Sequence, residues 1–326
     1  MLGEASQGTE SHNPSVLLLL PLSDPFMVAL SLKYRILKPW ESPLPLDQFL
    51  QSEAQSVRAI ICSGYCSIDA HLIRSLPALQ FVFTTSAGLD HVNLNDCKHW
   101  GIALANAGTL NSEDVADYAV GLLIDVLRRI SAADRYLRQG LWPLQGDCPL
   151  GFKLSRKHVG IIGLGSIGLE VAKRLEGFGC IISYNSRQQK PSLPYPYFSK
   201  VCDLAAKCDV LIVCCALNSE TYHIINRDVL SSLGKKGIII NVGRGKLIDE
   251  KELVKCLTHG EIGGAGLDVF ENEPSVPQEL FNLDNVVLSP HSAAPTAESS
   301  SDLLQLMMAN LEAFFANKPL VSPVTI

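Results

Sequence analysis

The sequence lacks the features that mark membrane proteins and nucleic-acid-binding proteins. The one long apolar stretch near its N-terminus, Val16–Leu22, is too short to span a bilayer. Its basic residues form no long run and the formal net charge is −6, whereas a nucleic-acid-binding surface needs clustered positive charge. We therefore expect no membrane partner and no nucleic-acid partner, and a small molecule as the substrate.

Cysteine pairs at metal-binding spacing are also missing. The ten cysteines include no CxxC pair, and Cys214 and Cys215 are adjacent inside an apolar run. This pattern favours buried reduced thiols over disulfides, and we expect no metal site. Residues 1–15 are polar and contain Glu4 and Glu10 but no Lys or Arg, unlike a secretory or transit peptide. We expect this segment to be disordered and the protein to be cytoplasmic.

Length and composition indicate two folded domains. The chain has 326 residues, of which 47% are hydrophobic and 18% charged, as in a soluble globular protein with two cores. Short apolar runs alternate with helical patterns, which is typical of an α/β protein with parallel sheets covered on both faces. A long helix, capped by Asn111 or Ser112, is predicted to run to Ile130 and to lead out of the first domain. A second helix is predicted over Ser131–Arg138, with irregular chain over residues 141–157.

The most informative stretch is Val159–Arg187, which reads as strand, glycine turn, helix and strand. This order is the first unit of a dinucleotide-binding fold. The first glycine of the GxGxxG pattern permits a tight turn, the second lets backbone approach a pyrophosphate, and the third lets the helix pack on the strand. The helix N-terminus attracts the phosphates. The predicted phosphate-binding residues are Gly163, Leu164, Gly165, Ser166, Ile167 and Gly168.

The tip of the second strand lacks the acidic residue that usually binds the 2′-hydroxyl of NAD. No Asp or Glu occurs between Gly177 and Cys202. The tip instead carries Ser186, Arg187 and Gln188, and an arginine with a neighbouring hydroxyl suits a 2′-phosphate. We predict NADPH as the cofactor, with NADH bound more weakly. The alternative is a solvated basic loop.

Three polar clusters follow predicted strands in the second half of the chain. They are centred on Arg244, on the segment Asp268–Glu273, and on His291. Because parallel strands end at one edge of their sheet, polar residues after successive strands lie near a common ligand. Arginine can hold a carboxylate with its planar fork, and histidine can transfer a proton near neutral pH. Taken alone, each residue also fits an ordinary structural role.

The order of GxGxxG, NVGRG, LDVFENEP and SPH resembles that of the D-2-hydroxyacid dehydrogenases. The resemblance spans about residues 57–320 and includes the phrase Ala87–His91. Within the family, the chain is most similar to plant glyoxylate/hydroxypyruvate reductases and hydroxyphenylpyruvate reductases. The phrases Asp114–Gly121 and Gly263–Phe270 support that placement.

The resemblance implies an architecture of two Rossmann-like domains with doubly wound parallel sheets. The substrate-binding domain would be split over residues 1–106 and 289–326, with the NAD(P)-binding domain inserted at 107–288. It also implies a homodimer formed through the cofactor domain and its arm. Trp142, on that arm, would either reach the substrate site of a neighbouring subunit or pack in its own chain.

The resemblance further implies roles for the polar residues. Arg244 would bind the carboxylate of a 2-oxo acid and polarise its carbonyl, while His291 would donate a proton and Glu273 would orient the imidazole. Ala87 and Gly88 would bind the substrate carboxylate through their N–H groups. Asp268 would hold the nicotinamide carboxamide. For Glu273 the alternative is a solvated carboxylate, since Glu271 lies two residues away.

These implications predict NADPH-dependent reduction of hydroxypyruvate or glyoxylate to the D-2-hydroxy acid by hydride transfer. Two alternatives stay open at this point. One is a hydroxyphenylpyruvate reductase, whose pocket would differ at a few positions. The other is a non-catalytic NAD(P)-sensing protein like the C-terminal-binding corepressors, which keep an Arg/Glu/His set.

Overall fold

The computed structural model describes residues 13–325, so residues 1–12 of the segment expected to be disordered lie outside it. Ser15, which that expectation included, begins the first strand. The strands are β1 (Ser15–Leu18), β2 (Arg35–Leu37), β3 (Ala59–Cys62), β4 (Phe81–Thr84), β5 (Ala103–Asn106), β6 (His158–Ile162), β7 (Ile181–Asn185), β8 (Val210–Val213), β9 (Ile238–Asn241), β10 (Gly264–Leu267) and β11 (Val286–Leu288). The helices are α1 (Asp24–Lys33), α2 (Leu46–Glu53), α3 (Ala70–Arg74), α4 (Leu94–His99), α5 (Ser112–Arg128), α6 (Ile130–Arg138), α7 (Trp142–Gln145), α8 (Ser166–Gly177), α9 (Val201–Ala205), α10 (Arg227–Leu233), α11 (Glu250–Thr258) and α12 (Ala297–Phe315).

The first compact unit comprises Met1–Leu110 and Ser300–Ile326. Its described part holds a five-stranded parallel sheet in the order β2-β1-β3-β4-β5. Successive side chains of a strand point to opposite faces, so Leu17 joins the core on one face while Val16 and Leu18 join the core on the other. Met307 and Leu311 of α12 cover the second face.

The second unit is Asn111–Ser299 and holds a six-stranded parallel sheet in the order β11-β10-β9-β8-β6-β7. Residues of α5 and α8 pack on one face, and residues of α9, α10 and α11 pack on the other. Strand β8 shows why its sequence is apolar throughout: Val210 and Ile212 enter one core and Leu211 and Val213 enter the other. The predicted α/β fold with doubly wound parallel sheets is confirmed.

Several predicted element boundaries are wrong. Helix α5 ends at Arg128 rather than Ile130, because Arg129 adopts a left-handed conformation (φ 56°) before α6 begins. Asn111 occupies the N-cap position, but its side chain makes no capping hydrogen bond. The segment predicted to be irregular contains the single turn α7.

Among residues 13–325, no helix combines the length and apolarity needed to cross a bilayer. All ten cysteines are free thiols. Burial raises the pKa of Cys62 to about 12 and that of Cys215 to about 11, so these thiols are unreactive near neutral pH.

Candidate active site

A cleft of about 820 Å³ opens at the carboxyl edge of the six-stranded sheet. It lies where the strand order reverses, since the chain passes from β6 outward to β7 and then returns to β8 on the other side of β6. Such a switch point is where open α/β sheets bind nucleotides. The cleft is lined by Ile162–Gly165, Asn185–Lys190, Cys214–Ala216 and several residues between Tyr197 and Ile224.

The glycine turn after β6 has the geometry of a phosphate cradle. Gly163 has φ +94°, and a Cβ there would lie 2.5 Å from the Cys215 backbone. A Cβ on Gly168 would lie 2.3 Å from the carbonyl oxygen of Gly163, so α8 packs against the turn only because the residue is glycine. A Cβ on Gly165 would meet nothing within 4 Å. The backbone at Gly165 therefore faces open space at the N-terminus of α8, where a pyrophosphate fits.

The tip of β7 supplies the basic side of the cleft. Arg187 and Gln188 are exposed, and the hydroxyl of Ser186 donates to the carbonyl of Gln188 at 2.6 Å. The ammonium of Lys190 donates to the carbonyl of Leu164 in the glycine turn. The positive charge at this tip faces the same cleft as the glycine turn.

Asn185 ends β7 and is a structural residue that the sequence analysis did not single out. Its amide donates to the carbonyls of Phe198 and Ser199 at 2.8 and 3.2 Å. The signal available in the sequence was a polar residue at the end of an apolar run.

The loop after β9 carries Arg244 and is held by a buried amide. Asn241 is 1% exposed. Its Nδ2 donates to the carbonyl of Arg244 at 2.9 Å, and its Oδ1 accepts from the N–H of Gly243 at 3.1 Å. A Cβ on Gly245 would lie 1.8 Å from the carbonyl carbon of Phe270. The Arg244 loop therefore lies directly against the segment that leads to Glu273.

Glu273 and His291 form a hydrogen-bonded pair. The Nδ1 atom of His291 lies 2.8 Å from Oε2 of Glu273, and the two side chains are 32% and 20% exposed. The other carboxylate oxygen, Oε1, accepts from the N–H of Phe270 at 3.0 Å, which fixes its orientation. With Nδ1 directed at a carboxylate, Nε2 lies on the opposite side of the ring.

The neighbouring Glu271 has different partners, which resolves the alternative left by the sequence. Its Oε1 lies 3.2 Å from Nε2 of His223, whose Nδ1 lies 3.9 Å from a carboxylate oxygen of Asp249. Its N–H donates to Oε2 of Glu250 at 3.0 Å. The structure therefore brings Glu273, and not Glu271, to His291.

Asp268 directly follows β10 and is 1% exposed. Its Oδ1 accepts from the hydroxyl of Ser289 at 2.7 Å and from the N–H of Ser292 at 2.8 Å. Its Oδ2 accepts from the N–H of Ala293 at 3.0 Å. All of these donors belong to the turn that carries His291, and the sequence analysis did not identify this contact.

The loop after β4, in the first unit, carries Ala87 and Gly88. The Asn106 amide donates to the carbonyl of Ala87 at 2.8 Å, and the hydroxyl of Ser86 donates to the carbonyl of Gly88 at 2.9 Å. Because a peptide group is planar and trans, fixing the Ala87 carbonyl directs the Gly88 N–H to the opposite side. Of the two N–H groups named from the sequence, this contact therefore fixes the direction of the Gly88 N–H.

No group of three or more His, Cys, Asp and Glu side chains in the described part of the chain is arranged to hold a metal ion. Trp142 is 58% exposed, so it is not packed within the described chain. Its Nε1 lies 3.4 Å from Oδ1 of Asp147.

A dinucleotide cleft and a paired histidine and glutamate at the carboxyl edge of one parallel sheet define the class: a nicotinamide-dinucleotide-dependent oxidoreductase. Residues 120–293 match the family described as D-isomer specific 2-hydroxyacid dehydrogenase, NAD binding domain. The chain belongs to the D-2-hydroxyacid dehydrogenase family, as its motifs predicted.

Three similar proteins cover nearly the whole chain. The glyoxylate/hydroxypyruvate reductase HPR3 of Arabidopsis thaliana is 57% identical over 316 residues, covering 96% of this chain and 98% of the relative. A hydroxyphenylpyruvate reductase of Plectranthus scutellarioides is 47% identical over 309 residues, covering 95% and 98%. The crystal structure of an NADPH-dependent glyoxylate/hydroxypyruvate reductase from Sinorhizobium meliloti, in complex with NADP and malonate, matches with a TM-score of 0.90 at 35% identity, covering 96% of this chain and 97% of that one.

Proposed function

We propose that this protein reduces hydroxypyruvate or glyoxylate to the D-2-hydroxy acid with NADPH. The observation that carries the proposal is the Glu273–His291 pair, at 2.8 Å, beside the loop of Arg244 at the carboxyl edge of a dinucleotide-binding sheet. The substrate class is supported by a relative at 57% identity that is named a glyoxylate/hydroxypyruvate reductase.

In the proposed mechanism the chain positions a 2-oxo acid and supplies the proton. The guanidinium of Arg244 binds the substrate carboxylate and polarises the carbonyl. In the first unit, the N–H groups of Ala87 and Gly88 are further proposed ligands for a carboxylate. A reduced nicotinamide held in the cleft would supply the hydride that C2 of the substrate accepts. His291, protonated, donates a proton from Nε2 to the carbonyl oxygen as negative charge develops there.

The carboxylate of Glu273 lies against Nδ1 of His291, which leaves Nε2 to face the substrate. It also orients the ring, since its own position is fixed by the N–H of Phe270. Glu273 is therefore the residue that orients the proton donor, His291.

The proposed cofactor site uses the cleft at the switch point. The residues Gly163 to Gly168, including Leu164, Ser166 and Ile167, form the pyrophosphate cradle. Arg187 would hold the 2′-phosphate of NADPH, with Ser186 and Gln188 beside it on the same tip of the cleft. Asp268 would hold the nicotinamide carboxamide. Two features support the fit of NADPH to this cleft: the basic tip of β7 and the open backbone at Gly165.

The test is NADPH oxidation by the purified protein, followed by the loss of NADPH absorbance. Hydroxypyruvate, glyoxylate and 4-hydroxyphenylpyruvate are compared, and each is repeated with NADH. We expect the highest kcat/KM with one of the two small acids and NADPH. A preference for 4-hydroxyphenylpyruvate would reassign the substrate to that of the relative at 47% identity. No turnover of any acid despite tight NADPH binding would instead indicate a sensor.

We also propose that two copies of the chain associate through the arm at residues 130–152. This arm exposes large apolar side chains, and an exposed apolar surface of this kind marks an interaction site. Its most exposed members are Ile130, Leu137, Trp142, Leu144, Leu150 and Phe152, with exposed fractions of 54%, 57%, 58%, 78%, 94% and 57%. Light scattering on the protein and on the double variant Leu144→Asp and Leu150→Asp tests this, with a dimer expected only for the former. A monomeric parent protein would contradict the proposal.

The ten free cysteines support a reducing compartment, and a cytoplasmic location is therefore part of the proposal.

A further inference from the structure

The backbone of His291 is held in a conformation that its side chain disfavours. Its φ is +52°, in the left-handed region that residues with a Cβ rarely adopt. Such a conformation is unfavourable for a residue with a Cβ and persists only where the surroundings enforce it. Contacts with neighbouring residues must therefore hold His291 in this conformation.

The residue that holds it is Asp268, which binds the turn at its main chain as well as its side chain. The N–H of His291 donates to the carbonyl of Asp268 at 2.7 Å. The Asp268 carboxylate accepts from Ser289, two residues before the histidine, and from Ser292 and Ala293 directly after it. Asp268 therefore fixes the turn on both sides of His291 and at His291 itself.

The chemistry of the contact requires a carboxylate. Two oxygens that only accept hydrogen bonds match three donors, two of which are main-chain N–H groups. An asparagine in the same place would turn an NH2 group toward one of these donors. The asparagine variant would lose one hydrogen bond, and its NH2 group would face another hydrogen-bond donor. An aspartate that is 1% exposed with three donors bound is well satisfied.

The same turn sets where the imidazole lies. Its Nδ1 reaches Glu273 at 2.8 Å only while the backbone stays left-handed, because the Cα–Cβ direction changes with φ. A third contact supports the turn from α5, where the Tyr118 and Ser292 hydroxyls lie 3.0 Å apart. Among the described residues, the charged groups near this pair include Glu250 and Glu271, which face the Glu273 loop, and Arg244, whose loop lies against the segment that leads to Glu273. His223 lies between Glu271 and Asp249.

We infer that Asp268 is a positioning residue for the proton donor: it holds His291 in the left-handed turn that aligns its ring with Glu273. This inference rests on the proposed function, in which His291 donates the proton. It assigns Asp268 a role that is independent of any contact with the nicotinamide carboxamide. A carboxamide contact would be seen in cofactor affinity, whereas positioning would be seen in proton transfer.

The experiment compares Asp268→Asn with the unaltered protein in three measurements. These are the pH profile of kcat/KM, the NADPH dissociation constant by titration, and the titration of the His291 ring by NMR of the free protein. We expect kcat/KM to fall about 100-fold, as for a small misplacement of a reacting group. The limb of the profile that descends at high pH and the ring titration should both move, because the ring loses its contact with Glu273. Any rise in the NADPH dissociation constant would report the proposed carboxamide contact and is separate from these two changes.

Ser289→Ala provides a graded variant that tests the inference even where Asp268→Asn does not fold. It removes one of the three donors and leaves both main-chain hydrogen bonds to the carboxylate. We expect a fall of about fivefold in kcat/KM and a smaller movement of the ring titration in the same direction. Asn310→Ala is the matched control, since Asn310 is a fully buried side chain that holds the residues 321–322 in the first unit. It should lower the Tm and leave the His291 titration unchanged.

Two results would overturn the inference. One is weaker NADPH binding by Asp268→Asn with an unmoved pH profile and ring titration, which would leave only the carboxamide role. The other is a ring titration unchanged in both Asp268→Asn and Ser289→Ala. Because the NMR measurement needs no turnover, it stays informative if no 2-oxo acid is reduced. In that case the proposed function fails while the positioning of His291 is still measured.

Discussion

The two halves of the six-stranded sheet present their ligands in different ways, although both use its carboxyl edge. At the glycine turn after β6 the surface is made of backbone, with glycines where a Cβ would collide with neighbouring atoms, and the tip of β7 adds the side chain of Arg187. Around β9, β10 and β11 the surface is made of side chains, and buried polar residues hold the loops that carry them. Asn241 holds the loop of Arg244, and Asp268 holds the turn of His291.

This difference separates two kinds of sensitivity to mutation. The glycine turn of the cofactor half packs closely because glycine has no Cβ, so a substitution that adds a methyl group should damage it. The loops of the reaction half are held by matched hydrogen-bond donors and acceptors. A substitution that keeps the shape of a side chain but changes one polar atom should therefore disturb them. The predictions below test this contrast, beginning with the largest effect.

His291→Ala should produce the largest loss. Removal of the proton donor should lower kcat/KM about 1,000-fold, in the range found for general acid catalysis. The NADPH dissociation constant and the circular dichroism spectrum should not change, because the cofactor half is intact. Near-normal turnover would show that His291 is not the proton donor, and the proposed difference between the two halves would then be wrong.

Two glycine variants sharpen the comparison on the cofactor side. Gly168→Ala places a Cβ 2.3 Å from the Gly163 carbonyl oxygen, and we expect it to destabilise the fold by about 3 kcal/mol in denaturant unfolding. Gly165→Ala meets no atom within 4 Å, so its stability should be nearly unchanged while NADPH binds about 30-fold more weakly. Equal stability of the two variants would show that the turn relaxes around an added methyl group.

Arg187→Ala should change which cofactor is preferred rather than the rate of the reaction itself. Loss of a charge-assisted contact to the 2′-phosphate should lower the ratio of kcat/KM for NADPH over NADH about 30-fold. Gln189→Ala, on the same exposed tip, is the control and should leave the ratio within about twofold. An unchanged ratio in Arg187→Ala would show that the basic tip is only a solvated loop.

The smallest expected effect concerns Glu250, behind the Glu273 loop. Burial raises the pKa of its carboxyl, the hydrogen bond from Glu271 opposes that shift, and repulsion from Glu271 and Glu273 adds to it. A raised pKa means that the folded state binds more protons than the unfolded state, so this group lowers stability as pH rises above its ordinary value of 4.5.

Glu250→Gln removes that cost and keeps an oxygen to accept from the Glu271 N–H. The Tm should therefore rise by about 1–3 °C at pH 7, and the gain should disappear at about pH 4. Thermal unfolding at the two pH values measures it. An equal gain in Tm at the two pH values would mean that the charge of the Glu250 carboxylate does not cause the gain.

The parts predicted from sequence share one property: they depend on local pattern. The strand, glycine turn, helix and strand predicted over Val159–Arg187 are β6, the turn, α8 and β7. The family followed from the order of four motifs. The end of helix α5 was missed because a single residue, Arg129, decides the path there. Domain limits and ligand contacts remain predictions.

The sequence alone determined the glycine turn, the missing acid at the tip of β7 and the types of residue that carry the chemistry. It could do so because turn geometry and residue type act over a few neighbouring positions. Only the tertiary structure decided that Glu273 rather than Glu271 meets His291, and that Asp268 holds the turn between them. Those contacts join residues 18 to 25 positions apart, across loops whose conformations are set by the packing of three parallel strands.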